Sequence, residues 1–239
     1  MAREKLVEIK KGEIGHGLLI ENDGYISIQD EKNRPILENI KLLKEDKNSE
    51  FHCPYPFVVH AVFQKYGIEN ANGRIYPEKI LKREVEKYQQ LIKERRAIGE
   101  CNHPAEATID LSRVAMNIIE LHWEGKTLVG QLEILTTEGF RKTGIVSTCG
   151  DEVANLVLNN IKIGVSSRGL GSVEKKLGSL YVGDDFEIVC WDIVSQPSTP
   201  MAYISDTYEG LETYKESIEY RNTNTLFENL KNFDNWLND

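Results

Sequence analysis

The alternation of apolar and polar residues along this chain predicts many short strands. Residues 114–123 and 127–135 alternate with a period of two and are separated by a Glu-Gly turn, which predicts an antiparallel hairpin. The alternation recurs at residues 161–167, and three further short strands are predicted between residues 170 and 194. The apolar run at residues 54–63 predicts one more strand, which we expect to be buried.

Two segments have the periodicity of a helix. Between residues 78 and 97, apolar residues recur every three or four positions, as on one face of an amphipathic helix. Pro77 suits the first position of this helix, and Gly99 is typical of a residue just past its end. A second helix is predicted at residues 150–160. Many strands with few inserted helices predict a mixed barrel or another α+β fold.

The distribution of polar residues divides the chain into three parts. Residues 1–50 are an N-terminal extension, polar and lysine-rich. Short strands are predicted within it at 6–9, 17–20 and 25–28. Residues 51–204 form the predicted main domain, since 239 residues of which 40% are hydrophobic can bury one sizeable core. Residues 205–239 predict a flexible segment that ends in a short amphipathic helix.

Composition excludes several classes of protein. The net charge of −9 argues against nucleic acid as a partner, because phosphate contacts require lysine and arginine. The four cysteines are far apart and form no CxxC pair, so we expect reduced thiols rather than disulfides or a zinc ribbon. The charged N-terminus is unlike a signal peptide, and no apolar run reaches the roughly 20 residues that span a membrane.

Two adjacent serines are candidate nucleophiles. Ser166 and Ser167 lie at the end of a predicted strand, before a predicted Arg-Gly turn. Strand parity places Ser167 on the apolar face with Val165, whereas Ser166 shares the opposite face with Gly164. We therefore favour Ser166, although a structural role is common for such a serine pair. Nearby glycines would let backbone N–H groups approach a substrate carbonyl.

A serine becomes nucleophilic when a base can take its proton, and His103 is the best candidate base. It follows the long predicted helix in a loop, whereas His60 and His122 lie inside predicted strands, where a structural role is the default. Asp192 could orient the imidazole, because a carboxylate in an apolar strand needs a partner. Glu100 and Asp110 compete with it through their closeness to His103 in sequence.

A metal site is the chemical alternative at the same loop. Glu100, Cys101 and His103 are all potential ligands. Their spacing matches no usual zinc pattern, and no second cluster completes four ligands. We therefore predict no metal and no other cofactor.

Four motifs occur in an order that resembles the prohead core proteases of T-even-type tailed bacteriophages. They are the segments 72–77 (NGRIYP), 99–104 (GECNHP), 164–169 (GVSSRG) and 192–198 (DIVSQPS), and the resemblance covers roughly residues 55–204. That family is related in fold to the herpesvirus assembly protease. The resemblance therefore implies a small, mostly antiparallel β-barrel surrounded by helices, with residues 51–204 as the protease domain.

The resemblance also implies an activity. It implies a serine endopeptidase that cleaves scaffold or core and capsid proteins inside the immature phage head, in the host cytoplasm. His103 would be the base, Ser166 the nucleophile and Asp192 the third member, with Arg168 and Gly169 near the oxyanion site. No cofactor, nucleic acid or membrane is implied, and a homo-oligomer is left open.

Self-processing is a further hypothesis from the same resemblance. The family cleaves after glutamate in sites of the form Leu or Ile, any residue, Glu. Leu226-Phe-Glu228 fits this form within the C-terminal segment, so Glu228 is a candidate self-cleavage site, although residues 36–38 and several other segments also fit. Two other functions stay open: a non-catalytic capsid-assembly or scaffold-binding protein on the same fold, and a metal-dependent hydrolase.

Overall fold

The computed structural model describes residues 7–21, 51 and 53–205. The described part contains ten strands, three α-helices and one 3-10 turn. The strands are β1 (Gly15–Ile20), β2 (Phe57–Lys65), β3 (Arg74–Ile75), β4 (Ile98–Glu100), β5 (Val114–Glu124), β6 (Thr127–Ile134), β7 (Gly164–Lys176), β8 (Ser179–Val182), β9 (Glu187–Val194) and β10 (Ile204–Ser205). The helices are α1 (Glu78–Lys93), α2 (Glu138–Thr143) and α3 (Cys149–Leu158), and the 3-10 turn is Leu111–Arg113.

The strands form two five-stranded sheets. The first has the order β1-β7-β8-β3, and β9 also pairs with β7; the second has the order β10-β2-β6-β5-β4. Every ladder is antiparallel except that of β3 with β8. The predicted α+β fold made mostly of strands is therefore confirmed.

The closed barrel is not formed in the part of the chain that the structure describes. Only isolated bridges, Cys101 with Ile193 and Gly164 with Tyr203, join the two sheets, and no continuous ladder closes them. The physical reason is that β1, β3 and β9 are edge strands of the first sheet and β10 and β4 are edge strands of the second, and no ladder in the described residues pairs an edge strand of one sheet with an edge strand of the other. None of the helices in the described ranges is long and apolar enough to cross a membrane.

The main core fills the space between the sheets. Trp191 of β9 is fully buried and meets Phe63 and Tyr88 edge to face, with ring centroids 5.8 and 4.9 Å apart. A second cluster forms where Tyr76 and Phe186 pack beside α1. These buried side chains fix β9 against its neighbours and so hold its polar residues in place.

Several elements match the sequence predictions and others correct them. The hairpin of β5 and β6 and the two longer helices are confirmed, while residues 7–9 form only a bridge at Glu8 instead of a strand. Gly99 does not end α1, because that helix stops at Lys93 and Gly99 lies inside β4. The predicted strand at 25–28 and the C-terminal helix lie outside the described residues, and the division into three parts stays a prediction.

The predicted turn at Arg168 and Gly169 is also wrong. Both residues lie within β7, a continuous 13-residue strand, at a register shift between Arg168 and Gly169 against β9. Such a bulge changes the direction in which neighbouring side chains project. Ser166 and Ser167 are therefore the third and fourth residues of a paired strand rather than its last residues.

Candidate active site

The sheet brings Ser166 and Asp192 face to face. In the antiparallel ladder of β7 and β9, Ser166 pairs directly with Asp192. Directly opposite residues project to the same face, with Cβ atoms about 4.5–5.5 Å apart. Both side chains are buried, with Ser166 1% and Asp192 0% exposed. A hydroxyl and a carboxylate that are 26 residues apart in sequence are thus neighbours.

The loop after β4 brings His103 to the same place. Gly99 lets β4 approach β9 closely, because a Cβ there would lie 2.0 Å from the carbonyl oxygen of Trp191. Asn102 then takes a left-handed conformation, with φ of 64°, while its N–H donates to the carbonyl of Ile193 at 2.8 Å. Asparagine tolerates this conformation better than most residues. The backbone is therefore tied to β9 immediately before the histidine.

The imidazole of His103 bonds to Asp192. Its Nδ1 lies 2.8 Å from Oδ2 of Asp192, and both side chains are fully buried. The other carboxylate oxygen accepts from the N–H of Glu100 at 2.9 Å. These contacts favour the tautomer that has its proton on Nδ1. Nε2 of His103 is then the free base, and it is buried without a hydrogen-bond partner among the described residues.

Arg168 neutralises the buried carboxylates around this histidine. Its Nε lies 3.0 Å from Oδ2 of Asp192, and its Nη2 lies 3.1 Å from Glu100 and 3.2 Å from Cys190 Sγ. Burial alone would lower the pKa of Arg168, but the Cys190 and Asp192 groups beside it leave that pKa raised. Burial, followed by the charge of Asp192, raises the pKa of the Cys190 thiol. The guanidinium therefore stays charged and compensates the acids.

The competing carboxylates are engaged elsewhere. Glu100 accepts from the N–H of Asp110 at 2.7 Å and pairs with Arg168. Asp110 accepts from the N–H and the hydroxyl of Ser112 at 2.9 and 2.7 Å. Of the three candidates for the third member, Asp192 is the one that bonds to His103 in the described structure.

The two residues expected at the oxyanion site are both buried in β7. The Nη1 atom of Arg168 donates to the carbonyl of Glu106 at 2.7 Å, so its guanidinium is directed into the protein. A Cβ on Gly169 would lie 2.5 Å from the ring of Phe186 and 2.7 Å from the carbonyl of Glu187. Close packing therefore explains the glycine, and a role in binding an oxyanion stays a prediction.

The structure describes no cluster suited to a metal. Within residues 7–21, 51 and 53–205, no group of three or more His, Cys, Asp or Glu side chains could hold an ion. Of the possible ligands near His103, Glu100 is paired with Arg168, and Cys101 Sγ donates to the carbonyl of Cys149 at 3.6 Å. Burial, followed by Cys149, raises the pKa of Cys101 to about 12, so this thiol is a weak ligand at neutral pH.

Glu21 also lies at this site, although it is not among the residues predicted from the sequence. The hydroxyl of Ser166 donates to the backbone carbonyl of Glu21 rather than to His103, and the side chain of Glu21 is 1% exposed. One sequence signal could have revealed it, since Leu19-Ile-Glu21 has the same form as the segment that ends at Glu228. Glu228 itself lies outside the described residues.

Comparisons with known proteins agree on one family. A family model described as prohead core protein serine protease matches residues 18–211. The prohead core protein protease of Enterobacteria phage T4 is 28% identical over 173 residues, which cover 71% of this chain and 78% of that protein. The solved structure of the bacteriophage T4 capsid assembly protease superposes with a TM-score of 0.52 at 27% identity, covering 57% of this chain and 80% of that one.

Proposed function

We propose, because the chain belongs to the prohead core protein serine protease family, that it is a serine endopeptidase of prohead maturation. The observation that carries the proposal is the bond between His103 Nδ1 and Asp192, with Ser166 directly opposite that carboxylate. A hydroxyl, an imidazole and a carboxylate are the groups that acyl transfer requires.

In the proposed reaction, Ser166 Oγ attacks a peptide carbonyl while Nε2 of His103 takes the proton. Asp192 holds the Nδ1–H group in place and stabilises the imidazolium that forms. His103 then gives the proton to the leaving amine, and a water activated by the same histidine hydrolyses the ester. The guanidinium of Arg168 is paired with Asp192 and Glu100 and is not available to bind an oxyanion. If β7 stabilises the oxyanion near Gly169, it would do so through a backbone N–H group.

The substrates follow from the family. We propose that the chain cleaves scaffold or core proteins and capsid proteins inside the immature head. A homo-oligomer and a fold like that of the herpesvirus assembly protease are compatible with this proposal.

A fluorophosphonate probe tests the nucleophile. We expect wild-type protein to be labelled at Ser166, Ser166→Ala to lose both labelling and cleavage of scaffold protein, and Ser167→Ala to keep both. Ser167 is the matched control because it is adjacent and equally buried, at 3% exposure, but projects to the other face of β7. Cleavage that survives in folded Ser166→Ala would refute the assignment, and folded wild type that never cleaves would support the non-catalytic assembly protein.

We also propose Glu228 as a self-processing site in the C-terminal segment. Incubation should remove the residues after Glu228 from the wild type, while Glu228→Ala keeps them. Intact-mass analysis of both proteins measures this directly. A wild-type mass that stays unchanged under assembly conditions would remove the proposal.

A further inference from the structure

Four large apolar side chains are exposed around the end of α2. Tyr55 and Ile145 are 70% and 67% exposed, and Phe51 and Val146 are each 40% exposed. We call these four residues the α2 surface. Single exposed apolar residues are ordinary, whereas several that border one short helix form a patch of the kind found at interaction sites.

Phe51 and the residues that end α2 form one side of the α2 surface. The ring of Phe51 meets that of Phe140 edge to face, with centroids 5.2 Å apart. Gly144 ends α2 in the left-handed conformation, and a Cβ on it would lie 3.3 Å from the Phe51 ring. Ile145 and Val146 follow Gly144 directly, so they leave the helix next to Phe51.

Tyr55 joins the α2 surface through Arg141, whose Cζ lies 4.0 Å from the centre of the tyrosine ring. Tyr55 lies two residues before the start of β2, and α2 follows the end of β6. Phe57 of β2 is opposite Ile134 of β6 in the ladder. The α2 surface therefore lies at the end of the second sheet where β2 begins and β6 ends.

The described chain leaves the second sheet toward this same end. In the antiparallel pair of β10 and β2, Ile204 is opposite Ala61 and Ser205 is opposite His60. A chain that continues in the direction of β10 therefore runs toward the start of β2. Because Tyr55 is five residues before His60, their Cα atoms are at most about 18 Å apart.

The sequence that continues from Ser205 has a pattern suited to an apolar surface. Residues 206–239 lie outside the described residues, and the end of this segment predicts an amphipathic helix. Four apolar residues recur there every three or four positions and share one face of such a helix. They are Leu226, Leu230, Phe233 and Leu237. Asn235 falls on the opposite face, about 180° from the middle of the apolar one.

The length of the connection favours docking within one chain over docking between two copies. Residues 206–225, as the flexible chain that the sequence predicts, would have a root-mean-square end-to-end distance of about 25 Å, which is enough to reach the α2 surface. Such a connection gives an effective concentration in the millimolar range, so at micromolar protein the same contact between two copies is disfavoured about a thousandfold.

We propose that residues 226–237 dock on the α2 surface of their own chain, with the apolar face of their predicted helix against it. Charge favours this pairing, since residues 226–239 contain three acidic residues and one lysine, whereas the last turn of α2 carries Arg141 and Lys142. The docking does not require the proposed protease activity. If the proposed cut after Glu228 occurs, it separates most of the apolar face from the chain and uncovers the α2 surface.

Photo-crosslinking in the full-length chain tests the docking. The photoreactive residue p-benzoylphenylalanine replaces Phe233, in Ser166→Ala so that the chain stays whole. Illumination should crosslink this position to residues 51–55 or 140–146 of the same molecule, as mapped by mass spectrometry of the monomer band. The same probe at Asn235 is the matched control and should give about tenfold less of this crosslink, because it faces away from the surface.

Ile145→Asp tests the docking from the side of the α2 surface. Ile145 is exposed, so the fold should be kept, but the crosslink from position 233 should fall about tenfold because a carboxylate without a partner is costly to bury. Leu177→Asp is the matched control. Leu177 is fully exposed between β7 and β8 of the first sheet, so its variant should crosslink like the parent protein.

The inference is wrong if position 233 gives no crosslink to the α2 surface, or if the crosslink survives Ile145→Asp unchanged. A crosslink that appears only in covalent dimers would also overturn it and would assign the surface to a second copy. None of these results bears on the cleavage of scaffold protein through Ser166, so the protease function would stand. Conversely, the docking would stand if wild type never cleaves.

Discussion

Ser166 and Asp192 lie directly opposite each other on β7 and β9, and the same Asp192 bonds to Nδ1 of His103 at 2.8 Å. Asp192 thus orients the imidazole of His103, and the ladder of β7 and β9 places Ser166 beside that same carboxylate. The strand pairing places Ser166, and the loop that carries His103 is tied to β9 by the N–H of Asn102, so main-chain contacts preorganise both side chains.

The first prediction concerns the charge of Asp192. In Asp192→Asn, the isosteric amide no longer stabilises an imidazolium or holds the correct tautomer. We expect kcat to fall by about 10³–10⁴-fold with a smaller change in KM. Steady-state cleavage of a peptide substrate measures both constants.

Glu100→Gln is the control for that loss. Glu100 belongs to the same buried ion network but has no bond to His103, so its variant should lose stability and keep more of the activity. Urea denaturation compares the two variants. If Asp192→Asn and Glu100→Gln were equally stable and lost the same activity, the effect of Asp192 would be on the stability of the ion network and not on the imidazole.

The site was only partly predictable from the sequence. His103 and Ser166 could be chosen because one lies in a loop and the other on the less apolar face of a strand. Asp192 could be put forward as the partner of His103, but the geometry of that bond could not be predicted, since it spans 89 residues and depends on how β4 packs on β9. Asp192 was preferred over Glu100 and Asp110 because a buried carboxylate needs a partner. The structure shows two partners for it, His103 and Arg168.

In the fold, too, features that depend on neighbours in sequence were predicted, and features that depend on tertiary contacts were not. Periodicity predicted α1, α3 and the hairpin of β5 and β6, because these depend on neighbours in sequence. It failed at Arg168, where a charge beside a glycine is typical of a turn. Only the packed structure reveals that Glu100 and Asp192 compensate this charge and let β7 continue through it.

The second prediction tests how β4 carries His103. Gly99→Ala would place a Cβ 2.0 Å from the carbonyl oxygen of Trp191 and 2.6 Å from Cε of Met116. A strand must shift to relieve this contact, so we expect a loss of about 1–3 kcal/mol in the free energy of unfolding, and a loss of activity. Urea denaturation and peptide cleavage measure the two effects.

Gly139→Ala is the matched control for that clash. Gly139 is exposed in α2, where its new Cβ would meet nothing closer than 3.9 Å. Alanine should stabilise this helix by up to about 1 kcal/mol. Should Gly99→Ala behave like this control, the close approach of β4 to β9 would not be what positions the histidine.

The third prediction concerns the buried cation. Arg168→Met removes the fully buried cation between Asp192 and Glu100, so that only the weaker contact with Arg113 at 3.5 Å and the bond to His103 are left to these carboxylates. We expect a loss of about 3–5 kcal/mol in the free energy of unfolding. Lys142→Met is the control, because it breaks an exposed pair with Glu138 and should leave the free energy of unfolding nearly unchanged. Similar midpoints of urea denaturation for the two variants would contradict the prediction.

The fourth prediction concerns acid stability, through Asp151. Burial alone would raise the pKa of Asp151, but the N–H and hydroxyl of Thr137, followed by Ser147, leave that pKa below its usual 3.8. A carboxylate with a lowered pKa contributes its full stability above about pH 3.8 and loses it as the pH falls through the folded-state value. Asp151→Asn should therefore be about 2 kcal/mol less stable than wild type at pH 7, because hydrogen bonds to a charged acceptor are the strong ones. Urea denaturation between pH 7 and 3 should show that the difference in free energy of unfolding between wild type and Asp151→Asn becomes smaller only at the acid end. A difference that stays constant over this range would mean that the charge of the carboxylate does not stabilise the start of α3.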